Sequence, residues 1–172
     1  MPRNLFFLIG VILFSPIGSE ATEVTEGRGG LKYEAPPAWT IEKAEGEECK
    51  ALIGRNGDGN PANMHLYVEH FVGSLRQFEI AYFKQSAPIT AARGVKEFQV
   101  LGVSDFKTVS GEIGLRAVAR GVFDGVRGKE QIYFFELNDG KKVIAICAFP
   151  EEDNGYAQIF DSIMRTFRRT DG

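Results

Sequence analysis

The chain has 172 residues, with 20 Lys and Arg against 23 Asp and Glu, a net charge of −3, 44% hydrophobic residues and two cysteines. That balance describes one globular domain and excludes a disordered tail, a collagen-like fibre, a coiled coil and a disulfide-dense miniprotein. It also lacks the basic stripe of a nucleic-acid-binding domain, so no nucleic-acid partner is expected.

Residues 1–21 have the form of a cleavable signal peptide. Arg3 precedes an uncharged apolar run from Leu5 to Phe14, which Ser15-Pro16 breaks, and Ser19-Glu20-Ala21 places small residues where a signal peptidase reads. The run is shorter than the roughly 20 residues that a membrane-spanning helix needs. No cysteine follows it closely, which excludes lipid attachment there, and no later run is long enough to span a membrane. We therefore expect an exported protein, periplasmic or extracellular, soluble after cleavage and monomeric.

Residues 22–30 are polar and Gly-rich, and read as a flexible leader. Folded structure is expected over 31–169 as a single domain. Leu31 to Ala35 alternates as a short strand, and Pro36-Pro37-Ala38-Trp39 forces an extended turn because proline fixes φ and restricts its predecessor. Thr40 to Gly54 is a second strand region, residues 54–61 a turn-rich loop, and Asn63 to Val72 a third strand.

Ser74-Leu75-Arg76-Gln77 is a capping box, followed by Leu75, Phe78, Tyr82 and Phe83 at helical spacing, with Pro88 expected to end the helix. Val95 to Ser110, Glu112 to Phe123, Lys129 to Leu137 and Lys142 to Phe149 read as successive strands. Asp124-Gly125 and Asn138-Asp139-Gly140 supply their turns. A second helix opens at Glu151, Glu152 and Asp153. It carries an apolar stripe of Tyr156, Ile159, Phe160, Ile163 and Phe167, and Arg165, Arg168 and Arg169 are expected to close it, both ends complementing the helix dipole.

Tyr133-Phe134-Phe135 and Val143 to Phe149 are apolar on both alternating faces, which a sheet tolerates only when both faces are covered. The expected fold class is α+β: a three-layer α/β/α sandwich around a mainly antiparallel sheet of six or seven strands.

The order of elements, Tyr33-x-x-Pro36-x-x-Trp39 near the start, the hairpin strands of 114–137, and the closing Phe149-Pro150 with Tyr156, Phe160, Asp161, Ile163, Phe167 and Arg168 resemble the PsbP-like superfamily. This group includes PsbP of photosystem II, a Ran-binding import factor and DcrB-type envelope proteins. The resemblance covers residues 31–169 and rests on packing positions. It implies an α/β/α sandwich and a non-enzymatic, partner-binding role, and it assigns no functional residue. The chain departs from the DcrB-type pattern in lacking a lipid-attachment cysteine.

Chemical motifs are sparse. His65, Tyr67 and Glu69 share one face of a strand while His70 points away, so the two histidines do not meet at one ion, and an ordinary polar face is the expected reading. Asn56-x-Asp58-x-Asn60 imitates a calcium loop, but Pro61 and Tyr67 stand where that loop needs glycine and a bidentate acid. No nucleophile elbow, P-loop or C-x-x-C is present. We expect no catalytic residues, metal or cofactor.

Arg116 and Arg120 share strand parity. Their stems either lie along apolar surface with solvated tips or form a site for an anionic partner. Cys49 and Cys147 form either a disulfide or two separate thiols, since an exported compartment permits both. The function these features favour is an exported accessory protein that binds an envelope or lumenal protein. The alternative is a small-ligand carrier whose pocket between helix and sheet is lined by aromatics such as Tyr82, Phe83 and Tyr133.

Overall fold

The computed structural model describes residues 21–26, 30–37, 39–42, 51–55, 61–92, 94–137 and 140–170. The apolar run at the N-terminus, the loop 56–60, the turn residues Asn138 and Asp139, and Cys49 lie outside them.

Among the described residues, ten strands and two helices follow in chain order: β1 (Thr22–Glu26), β2 (Leu31–Ala35), β3 (Thr40–Glu42), β4 (Ala51–Arg55), β5 (Pro61–His70), α1 (Leu75–Ala92), β6 (Lys96–Lys107), β7 (Ile113–Phe123), β8 (Val126–Glu136), β9 (Lys141–Pro150), α2 (Asn154–Arg165) and β10 (Arg168–Arg169). Seven strands form an antiparallel sheet in the order β3-β4-β5-β9-β8-β7-β6, and β1-β2-β10 form a second, three-stranded sheet.

The connections explain the layers. From β6 to β9 the chain is a meander, whereas β5 must reach the far edge strand β6, and α1 makes that crossing over one face. α2 leaves β9 at Pro150 and lies on the other face, delivering the chain to β10 beside β2. The expected α/β/α sandwich is therefore present, with the small sheet added to the α2 layer.

Period-two alternation sorts the central side chains. Tyr133 and Phe135 of β8 join Val143, Ala145 and Cys147 of β9 and Met64 and Leu66 of β5 beneath Tyr156, Phe160, Ile163 and Met164 of α2. Ile132, Phe134, Ile144, Leu115 and Ala117 form the opposite core with Phe78 of α1. Phe135 stacks on Phe167 with ring centroids 4.3 Å apart, at the point where the chain leaves α2 for the small sheet.

Local chemistry sets the ends of the elements. The Ser74 amide donates to Gln77 Oε1 (2.8 Å) and the Gln77 amide to Ser74 Oγ (3.2 Å), completing the capping box. Asp153 caps α2 by accepting from the Gly155 amide at 3.1 Å. Asp124 (φ 49°) and Gly125 (φ 84°) make the tight β7–β8 turn. Trp39, turned back by its amide bond to the Pro36 carbonyl (3.0 Å), lies over Gly54, where any Cβ would collide with the indole, and meets Phe160 edge-on at 5.3 Å.

Four expectations are corrected. Residues 22–26, read as part of a flexible leader, form β1 with Val24 and Glu26 buried. Their single apolar residue gives little sequence signal, and long-range ion pairs from Glu23 to Lys32 and Arg168 hold the strand. Leu31–Ala35 belongs to the second sheet rather than the main one. α1 continues past Pro88 to Ala92, so the donor that proline lacks and the crowding of its ring against the preceding turn do not end the helix there. Arg168 and Arg169 are not a helix end but β10, because Thr166 terminates α2, its hydroxyl donating to the Ile163 carbonyl (2.6 Å) and accepting from the Glu34 amide of β2 (2.8 Å).

Candidate functional site

Arg116 of β7 and Tyr133 of β8 are cross-strand partners facing α2, and Asp161 of α2 meets both. Arg116 Nη1 donates to both Asp161 oxygens at 3.1 and 2.8 Å, and the Tyr133 hydroxyl donates to Oδ1 at 2.5 Å. The side-chain oxygen Oε1 of Gln131 lies 3.0 Å from the same hydroxyl. Burial, and after it the neighbouring Cys147 and the hydrogen bond to and charge of Asp161, pushes the Tyr133 phenol far above its ordinary value, so it stays a neutral donor.

Cys147 is fully buried as a free thiol on this same face. Desolvation, then Asp161 and Glu130, raises its pKa, which keeps it protonated and unreactive. Its proposed disulfide partner, Cys49, is outside the described residues. The whole cluster fastens α2 to the sheet. It compensates Arg116 with a carboxylate, which leaves that guanidinium unsuited to an anionic partner, although its Nε is buried without a hydrogen-bond partner among the described residues.

Arg120 has a different fate. It stands four residues further along β7, about 13 Å away at strand rise, so the two guanidinium groups do not converge. It is exposed, and its Nε and Nη2 donate to Oε1 of Gln99 on β6 at 3.3 and 3.0 Å.

His65, Tyr67 and Glu69 lie on the α1-facing side of β5, opposite Ile146, Ile144 and Lys142 of β9. The His65 ring runs nearly parallel to Tyr67 (centroids 6.5 Å, 21°), Tyr67 and Glu69 are exposed, and His70 has the opposite parity. Among the described residues no group of three or more His, Cys, Asp or Glu is arranged to hold a metal ion.

Two features escaped the sequence. Glu130 of β8 sits between Ala119 and Ala148, and desolvation raises its carboxyl pKa to about 7. Lys142 is buried, its ammonium 2.6 Å from Glu136 across the β8–β9 hairpin. The tripeptide Lys129-Glu130-Gln131 resembles any solvated strand segment, so only the neighbouring strands reveal the burial.

The aromatics offered as a carrier pocket do not share one. Tyr82 and Phe83 of α1 meet Phe134 edge-on at 5.4 and 6.0 Å on one face, whereas Tyr133 is on the other. The described cavities lie elsewhere, one of about 440 Å³ beside α2 and Pro36, and one of about 330 Å³ beside Arg120.

This architecture is the PsbP/Mog1-like fold. It is shared with the cyanobacterial PsbP protein CyanoP of Synechocystis sp. PCC 6803 (TM-score 0.65, 12% identity, 90% of this chain and 95% of that one). The Ran-binding protein Mog1p of Saccharomyces cerevisiae is similar (TM-score 0.61, 14% identity, 89% and 97%). So is LpqN, involved in cell envelope biogenesis of Mycobacterium tuberculosis (TM-score 0.58, 12% identity, 88% and 91%). No protein-family model and no curated protein matches the sequence. Among the described residues no helix is long and apolar enough to cross a membrane.

Proposed function

We propose that this chain is an exported, non-enzymatic accessory protein of the cell envelope that acts by binding another protein. The observation that carries this reading is the whole-domain likeness to a Ran-binding protein, to CyanoP and to a protein of cell envelope biogenesis. The chemistry of the polar clusters agrees with it: a protonated buried thiol, a neutral phenol and a charge-compensated arginine tie layers together.

Export is supported by the N-terminal pattern and by where β1 starts. Cleavage after Ala21 would leave Thr22, the first residue of β1, as the new N-terminus and keep the small sheet whole. N-terminal sequencing of the mature protein is expected to begin at Thr22; a chain still beginning at Met1 would remove export from the proposal.

The decisive experiment is in-cell crosslinking and pull-down of the C-terminally tagged, natively produced protein, with bound species identified by mass spectrometry. One reproducible, near-stoichiometric protein is expected. Recovery of the tagged chain alone would overturn the partner-binding reading.

A further inference from the structure

The cavity beside Arg120 opens at the free edge of the main sheet, where β6 departs from regular pairing. The register shifts between Lys96 and Gln99, and Glu97 takes φ 54°, a left-handed conformation that non-glycine residues rarely adopt. Bulges of this kind re-aim side chains, and here Gln99 is brought onto the guanidinium of Arg120.

That contact orients Arg120 without neutralising it. Gln99 accepts from Nε and Nη2 through a single neutral oxygen, and no carboxylate pairs with Arg120 among the described residues. A guanidinium carries five N–H donors; both donors of Nη1 and the second donor of Nη2 have no partner among the described residues. Lys129 stands directly across from Arg120 on the same face, and like charges so placed repel. Arg127, from the far side of the β7–β8 turn, completes the cationic side of the cavity. Its guanidinium makes a long, exposed contact of 3.6 Å to Glu97, and Glu151 lies at the rim.

We propose that this cavity of about 330 Å³ is a binding site for a small anion, taking the phosphoryl or carboxylate group of its ligand on Arg120, with Gln99 as the positioning residue. A planar fork held in place before binding loses little entropy when it engages an oxyanion, and it suits both groups. The carboxylates of Glu97 and Glu151 equal the two lining arginines in number and limit the site to a group of low charge, taken on Arg120 because its guanidinium has no carboxylate partner among the described residues. It stands independently of the partner-binding reading, because it rests on the side chains that line this one cavity.

The test is an amide chemical-shift titration of the purified protein with sodium phosphate and, separately, sodium acetate, against sodium chloride at equal ionic strength. Saturable shifts at Gln99, Arg120 and Gly121 are expected with at least one anion. Saturation by phosphate alone identifies a phosphoryl ligand, by acetate alone a carboxylate, and by both a site for either. Arg120→Gln is expected to weaken binding about tenfold or more with an unchanged fold, since the side chain is exposed. Gln99→Leu, which keeps the charge but frees the fork, is expected to weaken it by a smaller factor. Shifts that track chloride without saturating, or an Arg120→Gln protein that binds as the parent does, would overturn the assignment.

Discussion

On the α2 face of the main sheet, apolar packing is joined by directed bonds: Arg116 and Tyr133 converge on Asp161, and Thr166 ties the helix end to β2. On the α1 face Phe78, Tyr82 and Phe83 meet Phe134 edge-on within an apolar cluster that includes Leu115, Ile132 and Ile144. Apolar contact sets how strongly a layer is held, while directed bonds set where it sits. The α2 layer needs the second property more, because it must hand the chain to β10 across only Thr166 and Phe167 and register it against β2.

The largest break in this comparison is expected at Phe160, which is fully buried between Trp39 and Phe149. Phe160→Ala should lower unfolding free energy by about 3–5 kcal/mol. Ile80→Ala, on the exposed side of α1 (58% accessible), should stay within about 0.5 kcal/mol, both read by urea denaturation.

Asp161→Asn tests the directed bonds. It should cost about 1.5–3 kcal/mol, since it removes a charged acceptor shared by Arg116 and Tyr133. An Arg116→Met/Asp161→Leu double variant should lose less than the sum of its single changes, and strict additivity would show that the cluster does not act as a unit.

Glu130 sharpens the contrast from the other face. Its folded carboxyl pKa is raised to about 7 from an ordinary 4.5, so the native state holds the proton more tightly than the unfolded chain. Its contribution is therefore most favourable below pH 4.5 and is lost as pH rises to 7. Glu130→Gln should be more stable than the parent by about 2 kcal/mol at pH 8, with the gap closing toward pH 4.5 in parallel thermal melts. Equal gaps at both pH values would refute the shift.

Smaller losses than at Phe160 or Asp161 belong to the helix starts. Ser74→Ala and Asp153→Ala should each cost about 1 kcal/mol, measured by the same denaturation, because each leaves one first-turn amide unsatisfied.

Much of the sandwich was legible beforehand. The doubly apolar run Tyr133-Phe134-Phe135 required cover on both faces, the Ser74–Gln77 box marked the start of α1, and Asp124-Gly125 marked a hairpin. The small sheet was not legible, because β1 carries a single apolar residue and β10 none, and β10 reaches β2, as Arg168 reaches Glu23, from more than 130 positions away. The candidate site was half legible. Shared parity marked Arg116 and Arg120 as a pair, but parity is silent about what faces them, and Asp161 and Gln99 gave them opposite roles.

What the sequence determined alone were the properties that repeat along the chain: strand alternation, helical stripes, caps and turns, each a consequence of backbone geometry acting over a few residues. Only the tertiary structure decided which charges are compensated and which are left available. A guanidinium or carboxylate takes its state from groups brought beside it by distant segments and from the water that they displace, as Arg116, Arg120 and Glu130 each show.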